Sequence, residues 1–418
     1  MSKVLEDIEV ALLVEAEKYT PEGSEPKAVV HQWAHAIAHD LPLFGELNGA
    51  KKEVIIKILK GKTLFKNKKS FHHGLTAKLP IVPPKKAKFT FIDLFAGIGG
   101  IRIGAQNNDG VCVFSSEFDS KAQETYLDNH GELPFGDITK IPVSDIPYHD
   151  VLFAGFPCQP FSHAGLKRGI EDTRGTLFHN IADILQVKKP KVAVLENVKG
   201  LVSHDKGYTL QVVLKTLTDM GYSCNIPKDI ILNGTAKELQ TEAKKMVLKS
   251  IDFGVPQNRQ RIYIVLWLDG LVDSFNYPKP LGLTTRVGDI LEANPDPKYT
   301  ISDKLWAGHQ RRKIQNKKDG KGFGYGCVTA DSPYTNTISA RYYKDGSEIL
   351  IEQDNANPRK VTHREAARIQ GFPDEFSIHD SNVQAYKQFG NSVSVPVVSC
   401  LVEKIYHQIL EVNGGLTQ

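Results

Sequence analysis

Residues 89–104 read FTFIDLFAGIGGIRIG: an aromatic and β-branched run breaks into glycines and resumes with apolar residues. The pattern predicts a buried strand, a tight turn and the start of a helix. Further short apolar runs follow at CVFSSE, HDVLFAGFP, VAVLENV and RIYIVLW, and between them lie helical-period segments such as FHNIADILQVKK and TLQVVLKTLTDMG. Strands alternating with helices predict a doubly wound α/β domain of Rossmann type. Ligands of such sheets bind beyond the carboxyl ends of the strands, so the residues just after each strand are the candidates.

After the first strand, Gly97, Gly99 and Gly100 let the chain turn tightly and leave room for a ligand against the backbone. A dinucleotide fingerprint starting at Gly97 needs glycine at 102, where Arg102 stands. Glu117 follows the second strand, where a carboxylate accepts from both hydroxyls of a ribose, and Asp137 in GDI is placed to accept from an exocyclic amine. Together they describe a nucleoside pocket without a pyrophosphate, as S-adenosylmethionine requires.

Past the third strand, GFPCQPFS holds Cys158 between Pro157 and Pro160, where neither helix nor central strand continues. A lone cysteine is more often buried and inert. Beside a carboxylate and a methyl donor it reads instead as a nucleophile, and Glu196 ends the next strand-like run. If those strands are neighbours, thiol and carboxyl share one lip of the sheet. The chemistry that needs this set is methylation of a pyrimidine at C5. Thiolate addition at C6 makes C5 nucleophilic, with Glu196 holding N3 and the amino group of cytosine and protonating N3. Arg259 and Arg261 in VPQNRQRIYIV are candidates to steady the base carbonyl and the Cys158 loop.

Composition sets outer bounds. The 418 residues suffice for two packed cores, and MSKVLEDIEV has no secretion-signal pattern. No apolar run approaches the ~18 residues of a membrane span, so a cytoplasmic protein is expected. Five scattered cysteines in no ligand spacing support neither a disulfide framework nor a metal site. Charge is unevenly spread: residues 1–50 hold three lysines against nine acids, and residues 51–88 hold twelve lysines against Glu53 alone. The basic half is either a phosphate-binding face or the solvated side of a short amphipathic helix packed through Val54, Ile55, Ile58 and Leu59. KLPIVPPKKAK reads as the linker that closes this extension, which contains no clear helix-turn-helix pattern.

In order along the chain, FIDLFAGIGG, SSEFD, GDI, GFPCQPFS, RGTLFHNI, ENVKGL, QNRQRIYIV, REAARIQGFP and YKQFGNSVSVPVV resemble the blocks of the bacterial DNA (cytosine-5) methyltransferases over roughly residues 89–418. The resemblance implies Cys158 as nucleophile, Glu196 as N3 partner and Arg261 as contact to the ring, with Arg259 beside it. It implies a cofactor site of Asp93, Phe95, Gly97, Gly100, Glu117, Phe118, Asp137 and Ile138, with Asn391 and Val393 contributed from near the C-terminus. Phe118 stands where many members have tryptophan. The product is S-adenosylhomocysteine and the substrate double-stranded DNA, whose target base must be flipped out of the stack.

The implied organisation is an extension over 1–88, a catalytic domain over 89–279, a target-recognition domain over 280–385, and a return to the large domain over 386–418. GFGYG and SARYYKDGSEILI resemble the recognition region of CCWGG and CCNGG methylases, with Thr337, Ser339 and Arg341, and with Gln159, Ser162 and Arg174 of the catalytic domain, as DNA contacts. HQRRKIQNKK alone reads as a solvated loop. A bacterial restriction-modification role follows, with a cognate endonuclease not stably bound, no metal, and a monomer. An RNA cytosine-5 methyltransferase of this fold is the alternative, since it shares every motif through QNRQR. Two departures stand out: residues 229–250, which read as an added surface helix, and the extension, which is expected to be dispensable for chemistry.

Overall fold

The structure, a computed structural model, describes residues 3–156, 177–322 and 324–414. Two compact units emerge: one of residues 1–248, 261–278 and 401–418, the other of residues 249–260 and 279–400.

The first unit opens with helices α1 (Lys3–Ala16), α2 (Pro26–His39), α3 (Lys52–Gly61) and α4 (Lys68–Thr76). An alternating series follows: β1 (Phe89–Leu94), α5 (Gly100–Gln106), β2 (Gly110–Ser116), α6 (Ser120–His130), β3 (Val151–Gly155), α7 (Leu177–Lys188), β4 (Val192–Val198), α8 (Tyr208–Asp219) and β5 (Tyr222–Ser223). Next come α9 (Lys228–Asn233), α10 (Ala236–Ala243), β6 (Val247–Lys249) and β7 (Gln260–Leu268). The sheet runs β2-β1-β3-β4-β7-β5, with β6 also on β7. Strands β2, β1, β3 and β4 are mutually parallel, and β7 is antiparallel to β4. The order reverses at β1, where one neighbour is β2 and the other β3, and the carboxyl ends beside such a switch point are where sheets of this kind take ligands. Strands β1 and β2 are buried throughout, as their near-continuous apolar runs require of a parallel sheet covered on both faces.

The extension is not a detachable leader. Leu5, Ile8, Leu12, Trp33 and Phe44 belong to the same buried cluster as Ile92, Leu94, Val113 and Phe114. Gln32 binds the backbone on three sides, donating to Pro42 O (3.1 Å) and Val113 O (3.0 Å) and accepting from Phe44 N (2.8 Å). Of the predicted amphipathic helix, Ile55 and Leu59 are buried in α3 whereas Val54 is exposed. Residues 229–250 also differ from a simple surface helix. They form α9, α10 and β6, they bury Ile231, Leu239, Ala243 and Met246, and Thr235 and Glu238 cap α10 reciprocally.

The second unit contains α11 (Asp303–Lys318), β8 (Cys327–Val328), β9 (Leu350–Ile351), β10 (Arg359–Lys360), α12 (His363–Ile369) and α13 (Asn382–Asn391), and α14 (Val395–Ile405) begins within it. It holds a small sheet, β10-β9-β8, and buries Ile338, Tyr342 and Val361, with Phe372, Phe376 and Phe389 packed against one another. Arg359 and Glu365 form a buried two-pronged pair at 2.7 and 2.8 Å. The return expected at residue 386 comes later, at Leu401, because Gly390 packs on the Ser339–Ala340 backbone: a Cβ there would stand 2.3 Å from Ala340 N. HQRRKIQNKK is helical within α11, not a loop, and His309 is its buried residue. Among the described residues no helix is long and apolar enough to cross a membrane, and no group of three or more His, Cys, Asp or Glu is placed to hold a metal.

Candidate active site

The turn after β1 is built under constraint. Phe95 has φ +59°, a left-handed conformation that is unusual for a bulky residue and marks a functional turn. Gly99 at φ +84° is required twice over, since a Cβ there would meet His130 Nε2 at 2.2 Å, whereas the space beside Gly97 is open. Glu117, just beyond β2, reaches back across the crevice: its Oε2 accepts from Gly97 N (2.8 Å) and its Oε1 from Asp119 N (2.8 Å). These bonds fix both oxygens while leaving lone pairs for a diol. Burial pushes the Glu117 carboxyl above its ordinary range.

Asp93, at the end of β1, is fully buried, and neither carboxylate oxygen has a hydrogen-bond partner of ordinary geometry among the described residues. Desolvation drives its pKa up to about 8, against the pull of Arg102. A buried carboxyl held mostly neutral near pH 7 at a strand end suits a polar group. Asp137 caps the turn Ile138–Lys140, accepting from Thr139 N at 3.0 Å, so its orientation is set by its own backbone. Ile138 is buried beneath it, and Phe118 is 80% exposed, an aromatic ring unpacked beside Glu117. Gly100 opens α5. Asn391 ends α13 and Val393 is buried just beyond it, both in the second unit.

The condition set on β3 and β4 is met: they are adjacent and parallel, with Gly155 opposite Glu196. A Cβ on Gly155 would lie 3.5 Å from Glu196 Oε2. From β7, paired at Val198↔Arg261, the Arg261 Nε comes within 3.2 Å of Glu196 Oε1. Asn197, which the sequence reading passed over, donates to Phe156 O at 2.8 Å and so anchors the chain where it leaves β3. Cys158, Gln159, Ser162 and Arg174 lie outside the described residues.

Arg259 departs from the part expected of it. It is 2% exposed, and its guanidinium donates to the carbonyls of Ile338 (3.2 Å), Gly390 (3.2 Å) and Ser392, all in the second unit. Such a side chain holds the fold of its own unit. Its neighbours act likewise: Gln257 donates to Ile369 O (2.9 Å) and accepts from Ile338 N (3.0 Å), and Asn258 O accepts from the Thr337 hydroxyl (2.9 Å). The QNR segment is thus the scaffold on which Thr337 and Ile338 are mounted. Ser339 Oγ accepts from Arg341 N (3.1 Å), and the Arg341 side chain is exposed with no partner among the described residues. On α11, Arg312 is paired with Asp345 (3.0 Å) and the Lys313 ammonium stands 4.2 Å from the Tyr325 ring centroid.

An anchored glutamate at the end of β2 and a strand-end glutamate paired with arginine coincide with a match of residues 89–407 to the family described as C-5 cytosine-specific DNA methylase. The chain belongs to this family. It is 60% identical over 320 residues to the Type II methyltransferase M.NlaX of Neisseria lactamica, covering 76% of this chain and 96% of that one. It is 54% identical over 334 residues to the Type II methyltransferase M.SsoII of Shigella sonnei, covering 78% and 83%. In fold it is similar to the S. pombe Dnmt2 methyltransferase, with a TM-score of 0.59 at 22% identity over 76% of this chain and 98% of that one. The methylase is therefore an enzyme acting at C5 of cytosine in DNA, and its first unit is the α/β Rossmann-like methyltransferase fold expected from the sequence.

Proposed function

We propose that this methylase transfers a methyl group from S-adenosylmethionine to C5 of a cytosine flipped out of a CCWGG- or CCNGG-type duplex site, in the bacterial cytoplasm and within a restriction-modification system. The observation that carries the reading is the alignment of Glu196 with Gly155 on adjacent strands, with Arg261 against the carboxylate. The residues after the strands fit the cofactor: the open space at Gly97 and the anchored Glu117 suit a nucleoside. Phe95 and Phe118 would enclose its adenine, Glu117 take the ribose hydroxyls and Asp137 the adenine amine, with Gly100 and Ile138 beside them. The assignment of Asn391 and Val393 to the cofactor rests on the resemblance. When bound, the cofactor supplies an electrophilic methyl group.

The protein's own residues prepare the base. Cys158, as thiolate, adds to C6 and pushes electrons toward C5, a carbon too electron-poor to act unaided. Glu196 holds the amino group and delivers a proton to N3 as the adduct forms, and Arg261 keeps its carboxyl aimed. Loss of the C5 proton later expels the thiolate and restores the ring. Thr337, Ser339 and Arg341 read the site, and Gln159, Ser162 and Arg174 contact the flipped nucleotide and its flanks. Bisulfite sequencing of DNA and RNA from cells expressing the protein tests this. Protected cytosines confined to one short C/G-rich duplex motif are expected. Protection in RNA alone favours the RNA enzyme, and protection nowhere refutes the reading.

A further inference from the structure

The residues before position 89, where the family match begins, touch the segment that carries Asp137 at four places. His31 Nδ1 accepts from Leu133 N at 2.9 Å, while its Nε2 bonds Glu9 Oε1 at 2.9 Å, so the ring is locked in one tautomer. The Phe44 ring lies 4.3 Å from the Phe135 ring between centroids. Ser24 Oγ accepts from Gly136 N at 3.0 Å, and Glu22 pairs with Lys140 at 3.2 Å. The approach is as close as backbones allow, for a Cβ on Gly136 would stand 1.9 Å from Gly23 O. Gly136 is glycine because the loop 21–24 occupies the space of its side chain.

On its other side the same segment is bound to the strand that leads to Glu117. Phe135 N donates to Ser115 O (2.9 Å) and Glu117 N to Phe135 O (2.8 Å). Residues 133–138 are thus held between β2 and the extension, and a shift of Gly136 moves Asp137 directly and Glu117 through one hydrogen bond. We propose that the extension is part of the cofactor site, with Ser24 in the loop between α1 and α2 as a positioning residue that sets the Asp137 turn. The inference rests on the reading of Asp137 as the partner of the cofactor's adenine.

The test uses full-length protein and four variants: Ser24→Ala, Ser24→Thr, Asp137→Ala and Leu12→Ala. The readouts are the KM for S-adenosylmethionine, kcat, the KM for DNA, the Kd for S-adenosylhomocysteine by calorimetry, and Tm. Loss of one neutral hydrogen bond predicts that Ser24→Ala raises the cofactor KM and the product Kd about three- to tenfold, with kcat and the DNA KM unchanged. Ser24→Thr keeps the hydroxyl and stays near wild type. Leu12→Ala removes a core side chain of the same extension far from this contact, so it lowers Tm and leaves the cofactor KM alone. If Asp137→Ala weakens cofactor binding and Ser24→Ala does not, the inference falls and the site reading stands. If neither weakens it, both fall. If Leu12→Ala raises the KM as much as Ser24→Ala, the effect is general loosening and the positioning role is wrong.

Discussion

Cys158, on which the proposed chemistry turns, follows Gly155, the β3 residue paired with Glu196, by three positions in the sequence. A serine at that place is a far poorer nucleophile near neutral pH. Cys158→Ser is expected to lower methyl transfer on the order of a thousandfold or more while DNA affinity holds, as in other enzymes that lose a covalent nucleophile. Oligonucleotides containing 5-fluorocytosine trap the wild-type enzyme, because fluorine does not leave as a proton does, and a trapped peptide lacking Cys158 would refute the assignment. That Glu117 and Glu196 stand at strand ends was legible because each carboxylate follows, or ends, an apolar run. Asn197 and Ser24 were not, because each bonds to a backbone atom, and a bond to backbone leaves no complementary residue type elsewhere in the chain to betray it. The carbonyl partners of Arg259 were hidden for a related reason. An arginine near a strand reads alike from sequence whether it meets a base or, as here, three carbonyls.

Long, strongly apolar elements such as β1 and β7 announced themselves, whereas β5, β8, β9 and β10 are two residues each and have no period to detect. The extension shows the sharper limit. Its helices could be read as amphipathic, but the pattern does not say which surface receives the apolar face, and the answer is the sheet's own core. The sequence-based expectation that residues 1–80 are dispensable is therefore reversed. Deleting them uncovers Val113, Phe114 and Phe135 and leaves Val113 O and Leu133 N without their partners, so the truncated protein is expected to aggregate, as light scattering and circular dichroism would record. A soluble, active truncation would contradict this. Leu12→Ala should cost about 2–5 kcal/mol, measured by denaturant unfolding. Acid should loosen the same region. Burial holds His35, which meets the Arg102–Glu132 pair, down at about 4, and His149 likewise at about 4. Both therefore stay neutral in the fold while they protonate near 6.5 when unfolded. At these two sites the unfolded state binds more protons between those values, so their contribution is full above about pH 6.5 and is lost toward pH 4, by up to about 1.4 kcal/mol per pH unit for each histidine, while Asp93, raised to about 8, contributes the opposite slope. His35→Gln should flatten the dependence of Tm on pH over that window, and an unchanged slope would show that the histidine is not its source.

At the scale of the whole molecule the chain alternates between its units, with Arg261 in the first and Arg259, two residues earlier, in the second. One strand end thus contributes to two tasks: Arg261 pairs with the Glu196 carboxylate, and Arg259 fixes the carbonyls around Ile338 and Gly390. The division predicts that changes in the second unit alter which cytosine is chosen, and changes in the first alter whether any is methylated. Arg341 is the discriminating case. Its backbone is held by Ser339, which also bonds Glu348, while its guanidinium is exposed on the segment that Asn258 and Gln257 anchor. A bidentate arginine contact to guanine contributes about 1–3 kcal/mol of discrimination, so Arg341→Ala should cost roughly ten- to a hundredfold on the preferred site and relax one base position. A phosphate contact behaves differently, since its loss weakens all sequences alike and reduces the salt dependence. Methylation of a randomised oligonucleotide pool at two salt concentrations separates the two. A uniform loss would make Arg341 a backbone contact, an unchanged profile would remove it from the interface, and a preference relaxed at a single position would place it against a base.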